Sequence, residues 1–411
     1  VHKPKSIQNI YLLLIAQNTL AASFIWGINT IFLLSAGLSN FQAFAANAFF
    51  TLGQVLFEVP TGIIADTYGR RTSYLLGCIT LMASTLLYLY MWEIKGPFWG
   101  WACSSMLLGL GFTFFSGASE AWLVDALHFT NFKGSLEGVF SKAQIVGGIA
   151  MLTGSILGGV IAQNTNLGVP YMLRSAVLLI NFLTAFFLMK DLGFVPKKPK
   201  KPVHEMKNIF NKSIDYGFKY PPVRWMMLAA PFTVGVSFYV FYALQPFLLE
   251  LYGNNTAYAV AGLVAALVAV SQIAGGLLAP HIKKLFKKRT SALLIGMFGT
   301  GLILILVSLT QVFWIALALI FLWGLIFAAL IPIRQTYMNG LIPSEQRATV
   351  LSFDSLMGSS GGIIIQPTLG KTADVYGYPT SYALASLFQF AAIPFIYLAK
   401  REKSPVDKIE E

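Results

Sequence analysis

Five ionisable side chains, Glu58, Glu120, Asp125, Arg334 and Asp354, stand inside long apolar runs of this chain. A charge at the centre of a membrane helix costs about 2.5–3.5 kcal/mol on insertion scales, so each needs a purpose. The chemistry open to them is proton carriage and ion pairing. No nucleophile, histidine pair or metal-ligand set gathers at one depth, which argues against an enzyme. An acid in apolar surroundings tends to keep its proton. Glu58 therefore suits a proton carrier, and equally a neutral side chain that hydrogen-bonds the next helix. Glu120 follows Phe115-Ser-Gly-Ala-Ser119, small residues that allow close approach or leave open space. Asp125 lies about 7.5 Å further along the same helix, near its end, where it is either solvated or paired with Arg70.

Arg70 belongs to a polar turn between two apolar helices, Gly62-Ile-Ile-Ala-Asp66-Thr-Tyr-Gly69-Arg70-Arg71. Glu58 is about 12 Å along the helix from Asp66. The turn recurs in worn form. Gln54 falls on Gln272 and Arg71-Thr-Ser on Arg289-Thr-Ser, both at an offset of 218 residues. Ser141-Lys-Ala-Gln-Ile-Val-Gly-Gly likewise echoes Ser352-Phe-Asp-Ser-Leu-Met-Gly-Ser at an offset of 211. Two echoes in the same order predict a membrane bundle built as two similar halves, an architecture common among secondary transporters.

The elements that must position these groups are membrane helices. Hydrophobic residues make up 56% of the chain and charged residues 11%, with a mean hydropathy of +0.67. A soluble chain carries about 25% charged residues, so lipid is the expected solvent. A helix needs about 20 apolar residues to cross a bilayer. Twelve candidate spans meet that length: 8–34, 41–65, 72–92, 97–127, 136–162, 169–190, 223–250, 256–281, 289–309, 312–338, 347–373 and 378–399. The first is too long for a signal-peptide core and reads as a retained helix. Cys78 and Cys103 fall inside apolar runs, so no disulfide is expected; His2, His128, His204 and His281 are scattered, so no metal site is.

The net charge of +12 does not form a nucleic-acid patch. With the N-terminus in the cytoplasm, all but four of the 29 Lys and Arg fall in cytoplasmic segments, the exceptions being Lys95, Arg174, Arg334 and Lys371. This is the positive-inside pattern, and it puts both termini in the cytoplasm. The connection 191–222 opens with Pro196-Lys-Lys-Pro-Lys-Lys-Pro and continues with Met206, Ile209, Phe210, Ile214 and Phe218 at amphipathic spacing. It is expected to lie on the cytoplasmic membrane surface. It separates an N-terminal six-helix bundle, 1–190, from a C-terminal one, 223–411, with a short cytoplasmic tail.

With these features the chain resembles a transporter of the major facilitator superfamily over essentially its whole length. Gly62, Asp66, Gly69, Arg70 and Arg71 match the family's loop motif between the second and third helices, with Thr67 where Arg or Lys is usual. Glu58-Val-Pro-Thr-Gly resembles the form found upstream of it in drug/proton antiporters. The resemblance implies that Asp66 holds the eleventh helix by its N-terminal dipole in one state, and that Arg70 pairs with Asp125. Gly154-Ser-Ile-Leu-Gly158-Gly159 resembles the antiporter motif of the fifth helix, with Ser155 replacing its proline. The family's arginine motif in the fourth helix is not recognisable in Ser104–Gly117, and the first helix carries no acid.

In the family, helices one, four, seven and ten line the central cavity. That implies a substrate space near Trp26, Asn29, Tyr239, Tyr242, Gln245 and Gln335, with Gln245 ahead of a kink at Pro246. Arg334 then has two readings. It pairs with Glu120 across the cavity and closes a gate, or it pairs locally with Asp354. Amides, phenols and many aromatic rings suit an amphipathic small molecule. The expected function is proton-coupled export of lipophilic or amphipathic compounds by alternating access, driven by the proton gradient without a cofactor. Proton-coupled uptake of a peptide, sugar or organic acid is the alternative, and a non-transporting sensor the alternative of another class. The expected setting is the cell membrane, in lean form a bacterial inner membrane, with the protein a monomer.

Overall fold

A computed structural model describes residues 3–196, 207, 211 and 214–409 of the chain. Among these residues the structure is helical. Lipid offers no partner to a backbone N–H or C=O, so each apolar run must satisfy its polar groups internally. The elements are α1 (Pro4–Trp26), α2 (Asn29–Ser35), α3 (Asn40–Tyr68), α4 (Arg70–Glu93), α5 (Phe98–Phe115), α6 (Ala118–Phe129), α7 (Leu136–Asn164) and α8 (Gly168–Leu188). After the long connection come α9 (Pro221–Tyr252), α10 (Tyr258–Lys284), α11 (Arg289–Leu309), α12 (Phe313–Leu341) and α13 (Ser344–Arg401).

Two spans depart from the continuous helices expected of them. The first span breaks at Gly27 and Ile28, between α1 and α2. The fourth breaks at Ser116 and Gly117, between α5 and α6; Gly117 has φ +68°, a conformation that costs glycine nothing and other residues 1–2 kcal/mol or so. α13 holds the last two spans, joined at the non-helical Gly377. α9 runs as one helix through Pro231 and Pro246. The predicted amphipathic segment lies mostly outside the described residues; its end, Ile214–Phe218, is a single wide helical turn.

The chain divides into two compact units. The first comprises Val1–Gly37, Phe49–Glu205 and Thr256–Ala266; the second comprises Leu38–Ala48, Met206–Asn255 and Leu267–Glu411. In the first, α1 packs on α7 and α8, and α4 on α5 and α8. Its core gathers Tyr11, Tyr74, Cys78, Trp122 and Leu178. In the second, α9 and α11 pack on α13, around Met226, Met227, Met297, Tyr337 and Ile396. Close approach is written into the first unit by glycine. A Cβ on Gly158 would fall 2.0 Å from the carbonyl oxygen of Phe24, and one on Gly159 would fall 2.5 Å from that of Tyr258. Two glycines of the antiporter-like motif thus let α7 touch backbone on α1 and on α10.

Candidate functional site

The polar turn between α3 and α4 is built on charge. Asp66 ends α3 and Arg70 begins α4, so they meet as an i,i+4 pair, Nη1 to Oδ1 2.6 Å. The Nε of Arg70 stands 3.8 Å from the Asp125 carboxylate on α6. That is an ion pair without a hydrogen bond, and it joins the residues that the family resemblance pairs. The guanidinium also lies over the ring of Phe194. All three charged side chains are part-exposed, so the network can be released. Gly62 is exposed, and a Cβ there would meet nothing within 4 Å.

Asp191, the first residue of the long connection, completes the turn. Its carboxylate accepts the backbone N–H of Arg71 at 2.9 Å. The first N–H groups of a helix lack partners inside it, so an acid there acts as a cap and meets the positive end of the dipole. Burial raises the Asp191 pKa above the usual carboxylate range, against the lowering pull of the Arg71 and Arg70 backbone N–H groups and side-chain charges. Gly69, with φ +108°, leaves room: a Cβ would sit 2.2 Å from the Asp191 Oδ2. Arg71 itself donates to the carbonyl of Phe186 at 2.7 Å and covers its ring.

The break in the fourth span gathers the two deeper acids. Ser116 donates to Glu58 at 2.6 Å, and Ser119 donates to Glu120 at 3.0 Å. Glu58, Ser116, Gly117 and Glu120 are all exposed on the protein. The expectation of an acid enclosed in apolar packing is therefore corrected for Glu58. It stands one turn before Thr61, which is buried and donates to the carbonyl of Thr113, so both residues meet the broken fourth span, Glu58 at its exposed edge. The Ser-Gly-Ala-Ser run had been read as close packing or open space; here it is the interruption itself.

Arg334 takes the local partner. Its two terminal nitrogens each bond one oxygen of Asp354 at 2.7 Å, and Nη2 also donates to the carbonyl of Met226. The fork ties α12 to α13 and α9 inside one unit, and bidentate geometry makes it the strongest kind of ion pair.

The side chains expected around a substrate differ in burial. Asn29 is buried and accepts from Tyr171 at 3.0 Å. Tyr239 is fully buried between Phe44 and Tyr382, its hydroxyl bonded to Ser381. Gln245 is buried as well. Asn29 and Tyr239 thus bond within their own units. Trp26 and Tyr242 are half-buried and Gln335 is exposed.

A model of the Major Facilitator Superfamily matches residues 10–366 and again 257–411. An uncharacterised transporter of that type from Methanocaldococcus jannaschii is 22% identical over 95% of this chain and 98% of its own length. The multidrug resistance protein MdtG of Salmonella schwarzengrund is 25% identical over 81% of this chain and 79% of its own. Among solved structures, the nucleoside transporter NupG superposes with a TM-score of 0.77 at 11% identity, over 95% of this chain and 98% of that one. That likeness is one of fold alone.

Proposed function

The chain belongs to the Major Facilitator Superfamily, and from that premise we propose that it exports lipophilic or amphipathic small molecules in exchange for protons. It works by alternating access, as a monomer, and the proton gradient replaces any cofactor. The basic loops and both termini lie in the cytoplasm, by the positive-inside rule, and the setting is a prokaryotic cell membrane. The similarity to MdtG supports a drug-like substrate.

One observation carries the coupling: two carboxylates are each held by a serine on the two sides of Gly117. An ionised carboxylate only accepts hydrogen bonds, whereas a protonated one must also donate. Proton uptake by Glu58 or Glu120 thus rearranges bonds around a residue that has already left the helix. Asp66, Arg70 and Asp125 form the releasable latch near the cytoplasmic ends, supported by Gly62, Gly69 and Arg71. Arg334 and Asp354 hold the second unit's helices in register.

The test is transport into proteoliposomes under an imposed pH gradient, read with a fluorescent lipophilic cation. Proton-driven flux that a protonophore abolishes supports export. Glu58→Gln or Glu120→Gln should lower that flux at least about tenfold, the scale of a lost proton relay. Full activity in both variants would remove these acids from the coupling. Movement of nucleosides or peptides but no dye would replace export with uptake, and no flux of any solute would leave a sensor.

A further inference from the structure

The end of α3 remote from the charged turn is held by an acid from the far end of the chain. The two oxygens of Asp374, on α13, each accept one backbone N–H, that of Asn40 at 2.8 Å and that of Phe41 at 2.9 Å. We infer that Asp374 is a positioning residue of the transport cycle, whose carboxylate clasps the first turn of α3 and must let go for the non-cytoplasmic side to open. The inference rests on the alternating-access reading above.

Three features mark this contact as a clasp rather than an ordinary cap. First, α3 already carries its own. Ser39 and Gln42 form a reciprocal capping box, the Gln42 N–H on the serine hydroxyl at 3.3 Å and the Ser39 N–H on the amide oxygen at 3.1 Å. Asp374 takes the two N–H groups that the box leaves free. The helix can therefore survive release, its freed N–H groups passing to water. Second, the carboxylate meets the positive end of a helix dipole, which gives a charge-assisted bond that is strong when made and costs little to remake. Third, the surrounding surface is shaped for intimate contact. Gly370, one turn before Asp374, faces α3: a Cβ there would lie 2.7 Å from the Phe44 ring and 2.9 Å from the Asn40 carbonyl oxygen. Phe44 is fully buried, its ring tilted against that of Tyr239 with centroids 5.1 Å apart. The Tyr378 hydroxyl bonds the Asn40 side chain.

The first turns of α3 with the preceding loop, Leu38–Ala48, fall in the same compact unit as Asp374, whereas α3 from Phe49 onward falls in the other, so the clasped segment is set apart from the rest of its own helix. The bonds of Asp374 are at the exposed rim of that segment, so they are the first that water can replace.

Site-directed labelling reads the clasp without any substrate. In a background carrying Cys78→Ser and Cys103→Ser, Ala43→Cys places a thiol at a fully buried position of the clasped segment. A membrane-impermeant maleimide is added from the non-cytoplasmic side of oriented proteoliposomes. Asp374→Ala should speed labelling at least about tenfold, the scale of two lost charge-assisted bonds. Asp374→Asn should fall between, because its amide oxygen still accepts one N–H. Gly370→Ala, with the acid intact, should speed labelling too by pushing the surfaces apart, which covers the case that Asp374→Ala does not fold. Labelling unchanged in both Asp374→Asn and Gly370→Ala would overturn the clasp. Faster labelling in a protein that moves no solute would keep the clasp and discard the transport reading.

Discussion

The two turns that echo each other in sequence, 66–71 in the first unit and 284–289 in the second, share one device and differ in another. The shared device is a cap. Asp191, just after α8, caps α4; Asp407, just after α13, caps α11 by accepting from the N–H and the hydroxyl of Thr290, both at 2.8 Å. The two acids are 216 residues apart, close to the spacing of the turns themselves. The arginines also correspond: Arg71 donates to the Phe186 carbonyl, and Arg289 donates to the carbonyls of Val406 and Lys408. The difference is the latch. Positions 66 and 70 are Asp and Arg; their counterparts 284 and 288 are both Lys. The second turn is fixed through backbone instead, by a bridge between Lys288 and Lys408 and a bond from the Ile409 N–H to the Lys287 carbonyl. Caps hold a helix end wherever it goes, whereas exchangeable charges respond to what approaches them. On the proposed function, the first turn is the one that would switch and the second the one that would stay.

The largest effect that would break this comparison is at the cap of the static turn. Asp407 is 2% exposed and serves two donors. Asp407→Ala strands the Thr290 N–H and hydroxyl, which costs about 2–3 kcal/mol. It should lower the melting temperature in detergent clearly and leave the pH dependence of transport unchanged. If it instead shifts the pH profile, the second turn is no passive anchor.

Asp191→Ala comes next, at about 1–2 kcal/mol for one lost cap. Its part-buried carboxyl adds a sign to the prediction. Burial raises its folded-state pKa above the usual value, so the folded state binds the proton more tightly than the unfolded state does. The stability linked to that proton is fully present below the unfolded pKa of about 4 and is lost as pH rises through the raised folded value. Asp191→Asn keeps an acceptor and cannot ionise. Relative to that variant, the native protein should lose stability on going from pH 4 to pH 7 or so. A difference in melting temperature that stays flat, or reverses, would show that the Arg70 and Arg71 donors outweigh burial.

The sequence made the spans legible because lipid forces helices on any long apolar run, and the Asp66–Arg70 pair legible because its charges lie one helical turn apart; Asp125, on another helix, was reached through the family resemblance. It hid the breaks. Glycine inside an apolar helix is tolerated, so nothing separates Gly117, which leaves the helix, from Gly109, which stays in it. It also hid the long-range caps. Asp191 and Asp374 sit at helix ends, where an acid reads as solvated, and their donors are 120 and 334 residues away. The repeat could have revealed Asp191, since the same step of 216 residues leads from it to Asp407. The choice between Glu120 and Asp354 as the partner of Arg334 needed the register of α12 against α13, which no local pattern carries. The Tyr239 bond was hidden for a related reason: a polar tip on a membrane helix can satisfy itself within its own unit, as the Tyr239 hydroxyl does on Ser381.

The smallest effect sharpens the comparison most, because it moves the latch rather than removing it. Lys284→Asp puts an acid four residues before Lys288, as Asp66 stands before Arg70. An i,i+4 pair contributes about 0.3–0.5 kcal/mol when exposed, so stability should rise only slightly and fade in high salt. Arg70→Lys performs the reciprocal change. It keeps the charge and the bond to Asp66 but loses the planar fork that also reaches toward Asp125. Melting temperature should barely move in either variant. Transport should fall in Arg70→Lys and not in Lys284→Asp, because among the described residues the arginine of the first turn meets a second acid, Asp125, on another helix, and no such ion pair is seen at Lys288. Equal loss of flux in both would mean that net charge at the cytoplasmic rim, and not the three-residue geometry, is what the cycle reads.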